Sequence, residues 1–236
     1  MEYKKKLIAF NIKKTDNLAV VLFFVSFAVF GAINFFDKRT PILTTGSVWF
    51  VSLLAFGIFV VGMLAHEGIH ALSGMIFGKL KPSQVKFGFD IRGPNLYTHF
   101  ASPMPIKGYI PTLILPCVIT ALIPIVLLTA FGGIIPLGAV CLLFAGCAGD
   151  IMMFFSAAKQ DKNALVSDHP TALAYYLVYP ENAVPEGFSE TTEEEETALL
   201  AKAQNKAFES EKAKKRIVMY KYFGILVYLA LYVIVM

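Results

Sequence analysis

The chain has 236 residues, 56% of them hydrophobic and only 16% charged, with a mean hydropathy of +0.63. Soluble domains average about 45–50% apolar and about 25% charged, so this composition belongs with membrane proteins and excludes a disordered chain. Three cysteines, Cys117, Cys141 and Cys147, all inside apolar runs, exclude a secreted disulfide scaffold. The net charge of +4 carries information only through where the charges lie.

A membrane helix needs roughly 20 mostly apolar residues. In chain order the stretches that qualify are 17–36, 47–77, 109–131, 134–157 and 217–236. The first is long for a signal-peptide core and is followed by Asn34-Phe35-Phe36-Asp37 instead of a small-residue cleavage site. The second is too long for one simple span, so part of it should tilt or emerge from the bilayer. With the N-terminus in the cytoplasm, cytoplasmic segments hold 19 of the 21 lysines and arginines, leaving only Lys38 and Arg39 outside. The expectation is an all-α, multi-pass protein of the cell membrane with five spans, an internal N-terminus and an external C-terminus.

Between the second and third spans, Val85, Phe87, Phe89 and Ile91 alternate with Lys86, Gly88, Asp90 and Arg92, the period of a strand. Gly93-Pro94-Asn95 is a turn signal, and residues 96–101 can return as a second strand. A hairpin over about 83–101 should therefore lie at the cytoplasmic face. The membrane core is expected over 1–157. Residues 158–216 form a cytoplasmic segment, and 217–236 form the last span. In the cytoplasmic segment Thr192 and Glu195 fit a capping box, and Glu193 to Glu196 place negative charge in a first helical turn. A charged, solvated helix from Thr192 follows, running on toward the last span. The basic residues track the membrane boundary without interleaved aromatics, so nucleic-acid binding has no support.

The second span contains His66-Glu67-Gly68-Ile69-His70, which is His-Glu-x-x-His. Positions i and i+4 share a helix face, so His66 and His70 can aim ring nitrogens at one metal ion. Glu67 lies about a quarter turn round, where it can act as a general base on a water activated at that ion. Zinc lowers the pKa of a water from 15.7 to about 7. Ionisable side chains at a span centre cost about 2.5–3.5 kcal/mol each on insertion scales, and a shared zinc would offset that cost.

A zinc site needs a third protein ligand. The metzincin extension fails, because Ser73 and Ile76 stand where Gly and His are required. Asp150 is the only acidic residue of the fourth span, and the second and fourth spans run in the same direction. His70 and Asp150 both fall about eight residues, or about 12 Å, before their cytoplasmic ends. Gly146, Cys147, Ala148 and Gly149 would let the two helices approach closely. Cys147, His99 and His169 remain alternatives for the third ligand. Asp168, ahead of His169-Pro170, reads as a helix N-cap.

His66-Glu67-x-x-His70 on a membrane helix, a polar hairpin and Gly149-Asp150 on a later membrane helix resemble the zincin-peptidase membrane family of unknown function. That family is similar to site-2-type intramembrane metalloproteases. The resemblance covers about Val60 to Pro170, Asp168-His169-Pro170 included. It implies Zn2+ held by His66, His70 and Asp150, with Glu67 as base, in a bacterial membrane. The chain departs from site-2 proteases, which carry Asn-Pro-x-x-Gly before Leu-Asp-Gly. Here the triplet is Gly149-Asp150-Ile151, and Asn-Pro does not occur.

The activity so implied is zinc-dependent hydrolysis of a peptide or membrane-protein substrate at the cytoplasmic face. The hairpin would pair with an extended substrate strand. Two other readings use the same residues. One is a non-catalytic zinc-binding membrane scaffold or regulator. The other is a transporter, disfavoured by the lack of an inverted repeat and by polar residues confined to one depth.

Overall fold

The computed structural model describes residues 3–36, 47–90, 95–131 and 134–208. Helix α1 (Ile12–Phe36) makes the first pass and α2 (Val48–Ile76) the second. The third pass is α3 (Ile106–Cys117), a π-helical turn (Val118–Leu122) and α4 (Ile123–Phe131). The fourth is α5 (Ile134–Gly146) followed by α6 (Ala148–Ala157). All four passes are long and apolar enough to cross a membrane. Five spans are expected from the sequence; the fifth, 217–236, lies outside the described residues, as does any continuation of the charged helix into it.

Caps move the helix ends away from the limits of the apolar runs. Asn11 accepts from the Lys14 amide through Oδ1 at 3.1 Å, so α1 starts five residues before the apolar stretch. Ser47 Oγ accepts from the Phe50 amide at the start of α2. That helix closes with the Phe77 amide donating to Ser73 O and the Leu80 amide to Gly74 O, while Lys79 adopts φ +56°. At 29 residues α2 is about 44 Å long, well beyond the roughly 30 Å of hydrocarbon.

The all-α expectation needs correction. Strand β1 (Tyr3–Ala9) opens the described chain, and β4 (Met104–Pro105), β5 (Leu165–Asp168) and β6 (Ala174–Pro180) join it in an antiparallel sheet ordered β1-β6-β5-β4. The register pairs Tyr3 with Pro180 and Ala9 with Ala174. The expected hairpin forms as β2 (Val85–Asp90) and β3 (Asn95–Phe100), with Val85 opposite Phe100. Helix α7 (Glu193–Phe208) begins at Thr192, whose Oγ1 accepts from the Glu195 amide while Glu195 accepts from the Thr192 amide.

Both the sheet and the hairpin connect to one end of the helical bundle, because β1 leads into α1, the hairpin and β4 link α2 to α3, and β5 follows α6. Tyr109, Leu113 and Met153 from the helices pack there against Val166, Tyr175 and Leu177 from the sheet. Toward the other end, Phe24, Val25, Val29, Leu53 and Val126 face outward, as lipid-facing side chains do. Helices α2 and α3 meet with backbone touching backbone: a Cβ on Gly108 would collide with the carbonyl of Phe77. Gly74 leaves room for the Phe100 ring in the same way, which seats the hairpin on α2.

Candidate metal centre

His66 and His70 stand one turn apart on α2, their ring centroids 4.8 Å apart and the rings steeply inclined. Their Nε2 atoms are 3.1 Å apart. Asp150 reaches them from the fourth pass, with Oδ2 3.0 Å from His66 Nε2 and 3.4 Å from His70 Nε2. His70 lies six residues, about 9 Å, before the end of α2, and Asp150 lies seven, about 10 Å, before the end of α6. The fourth pass breaks at Cys147, and Asp150 lies in the first turn of the helix that follows. A carboxylate oxygen of Glu67 lies within 4.8 Å of a ring nitrogen of both histidines. The Asp150 contacts are the tighter set.

Behind His66, Nδ1 lies 3.3 Å from Thr120 Oγ1. The Thr120 hydroxyl donates to Pro116 O at 2.7 Å. Its one proton is therefore committed, and toward His66 it can only accept. Nδ1 then carries the ring proton, and Nε2 presents a lone pair to Asp150 and His70. His66 Nε2, His70 Nε2 and Asp150 Oδ2 thus converge at 3.0–3.4 Å. Tetrahedral ligands with bonds of 2.0–2.1 Å are about 3.3 Å apart, so the donor set fits a small divalent cation such as zinc.

Cys147 is on the wrong side for this cluster. Its thiol donates to Leu143 O and lies 4.0 Å from His66 Nδ1, the nitrogen facing away from Asp150. His169 is engaged elsewhere. Its Nδ1 accepts from the Thr171 and Ala172 amides, its ring stacks on Tyr176, and Nε2 faces Glu196 at 3.8 Å. His99 sits in β3 opposite Lys86.

Asp168 does not cap a helix. It ends β5, and its carboxylate accepts from the Phe100 amide at 3.0 Å and from the Tyr109 hydroxyl at 2.8 Å. Burial raises its pKa above the usual aspartate value, with those two hydrogen bonds opposing. It thereby joins the hairpin, the third pass and the sheet. A second tie is Thr98 of β3, which donates to the Glu67 carbonyl at 3.0 Å. The hairpin is thus pinned beside the residue expected to act as base. Neither Thr98 nor Thr120 carries a sequence signal of its own, because each acts through tertiary placement.

Residues 59–165 match the model of a family described as "Putative zincin peptidase". This is the family the sequence resembles. No curated protein and no solved structure matches the chain. The zincin-peptidase match runs from α2 to the start of β5, taking in His66, Glu67, His70, Thr120 and Asp150 and stopping short of Asp168. It supports a metallopeptidase and, with the His66-Glu67-His70 group, a zinc site.

Proposed function

We propose that the chain is a membrane-embedded zinc metalloprotease that hydrolyses peptide bonds at or near the cytoplasmic face. The observation that carries this reading is the convergence of His66 Nε2, His70 Nε2 and Asp150 Oδ2 beside Glu67. The two histidines and Asp150 would hold the ion, leaving a fourth position open. Bound there, zinc supplies Lewis acidity that brings hydroxide within reach near neutral pH. Glu67 takes the proton of the attacking water and passes it to the leaving amine.

The hairpin supplies substrate geometry. A helical substrate hides its peptide bonds, whereas β2 has an edge facing away from β3, unpaired among the described residues, that can hold an extended segment. The Thr98 tie places that hairpin one hydrogen bond from Glu67. Proline at alternate residues of β2, chosen so that the lost N–H groups face away from β3, should abolish cleavage and leave zinc bound. Unchanged cleavage would remove the hairpin from the reading.

Metal analysis of detergent-purified protein tests the centre. Wild type should hold about one zinc per chain; His66→Ala should lose it and Asp150→Ala should weaken it by at least tenfold. Glu67→Gln should keep the zinc and lose the proteolysis. A Glu67→Gln protein that keeps its full cellular role would instead make the chain a zinc-binding scaffold. Well-folded wild type without zinc would sink the protease reading.

A further inference from the structure

Behind His66 stands a residue from a different pass of the bundle, Thr120. Thr120 lies in the π-helical turn Val118–Leu122, where the Ile123 amide bonds back to Val118 O. Pro124 follows, and its missing N–H leaves the Thr120 carbonyl without its α-helical donor, which accounts for the wider turn here. The turn is packed tightly: Thr120 is 6% exposed and Ala121 fully buried. Thr120 Oγ1 therefore has little freedom. Its proton goes to Pro116 O, and a lone pair faces His66 Nδ1.

We infer that Thr120 is a positioning residue for metal binding: by accepting the Nδ1 proton it holds His66 as the tautomer whose Nε2 lone pair faces Asp150 and His70. The inference rests on the metal reading above and adds the residue that prepares the ligand. Water cannot easily replace Thr120, because Thr120 is buried and its neighbour Ala121 packs in a buried apolar cluster with Cys117, Leu143 and Cys147. The Cys147 thiol, the other polar group behind the ring, is 4.0 Å away and a weak acceptor. An outer partner of this kind is worth 10–100-fold in metal affinity in other metal sites.

The test is Thr120→Val, which keeps the shape and removes the acceptor, beside Thr120→Ser, which restores it. Zinc affinity is read by competition with a chromophoric chelator on detergent-purified protein, and the thermal midpoint is read on the metal-free form. The expected result is about a 10–100-fold loss of affinity for Thr120→Val, recovery by Thr120→Ser, and unchanged metal-free midpoints. Wild-type affinity in Thr120→Val overturns the inference and leaves the metal centre standing. Wild type that binds no zinc overturns both. Should valine prevent folding, Thr120→Ala against Thr120→Ser decides the same point.

Discussion

Protonating His169 would cost the turn at 169–172 both of its ring hydrogen bonds, since Nδ1 accepts from the Thr171 and Ala172 amides. Burial holds the His169 pKa below its ordinary 6.5, with Glu196 of α7 opposing and His99 of β3 assisting; Tyr176 of β6 stacks on the ring. A histidine with a lowered folded pKa binds fewer protons folded than unfolded in the window below 6.5. Stability is therefore fully present above about pH 6.5 and is lost as the pH falls through the lowered value. Exchange of the Thr171 and Ala172 amides, corrected for intrinsic rates, should accelerate on acidification below that point. His169→Asn keeps an acceptor and should flatten the profile; an unaltered pH response in that variant would assign the effect to another group. His66, Glu67 and His70 were legible in the sequence because i and i+4 geometry is local. Thr120 was not, because its role exists only once a π-turn in another pass brings it behind His66.

Among the elements, α2 and α3 meet in a joint that leaves no room for a side chain at Gly108. Gly108 meets the Phe77 carbonyl, a backbone atom that cannot turn aside. Gly68, next to Glu67, has nothing within 4 Å of where a Cβ would stand. Gly108→Ala should therefore cost about 1–3 kcal/mol or more in unfolding experiments and loosen zinc binding, whereas Gly68→Ala should be tolerated. Equal midpoints for the two variants would contradict this packing. The hairpin was readable from the alternation of Val85, Phe87 and Phe89, and the α7 start from the Thr192–Glu195 spacing. Strand β6 was not expected, although Ala174 to Pro180 is an aromatic and β-branched run bounded by turn residues. Strand β1 was hidden because Lys4, Lys5 and Lys6 mark a membrane boundary as readily as a strand. The break at Cys147 had only Gly146 and Gly149 to announce it, and glycine is common in spans.

The whole molecule threads the four passes so that β1, the hairpin, β5 and β6 share one end of the bundle. If lysine distribution sets orientation, that end is cytoplasmic, and Lys38 and Arg39 are external. Cysteines introduced at Lys4 and Lys38 should then label from opposite sides of intact cells, Lys38→Cys alone reacting with an impermeant maleimide. Labelling of Lys4→Cys from outside would invert the reading and put the candidate centre on the other face. Depth was the global quantity the sequence did carry: parallel directions for α2 and the fourth pass place His70 and Asp150 level, and their atoms are 3.4 Å apart.

The pairing of Tyr3 with Pro180 has a consequence for biogenesis. Strand β1 leaves the ribosome before α1, and its partner β6 follows only after four passes. At about 5–20 residues per second the wait is roughly 10–30 s, with a strand edge unpaired throughout. Three consecutive lysines suit such a wait, because charge on a lone edge discourages pairing with a neighbouring chain. Closure of the sheet thus cannot precede synthesis of the fourth pass, which carries Asp150.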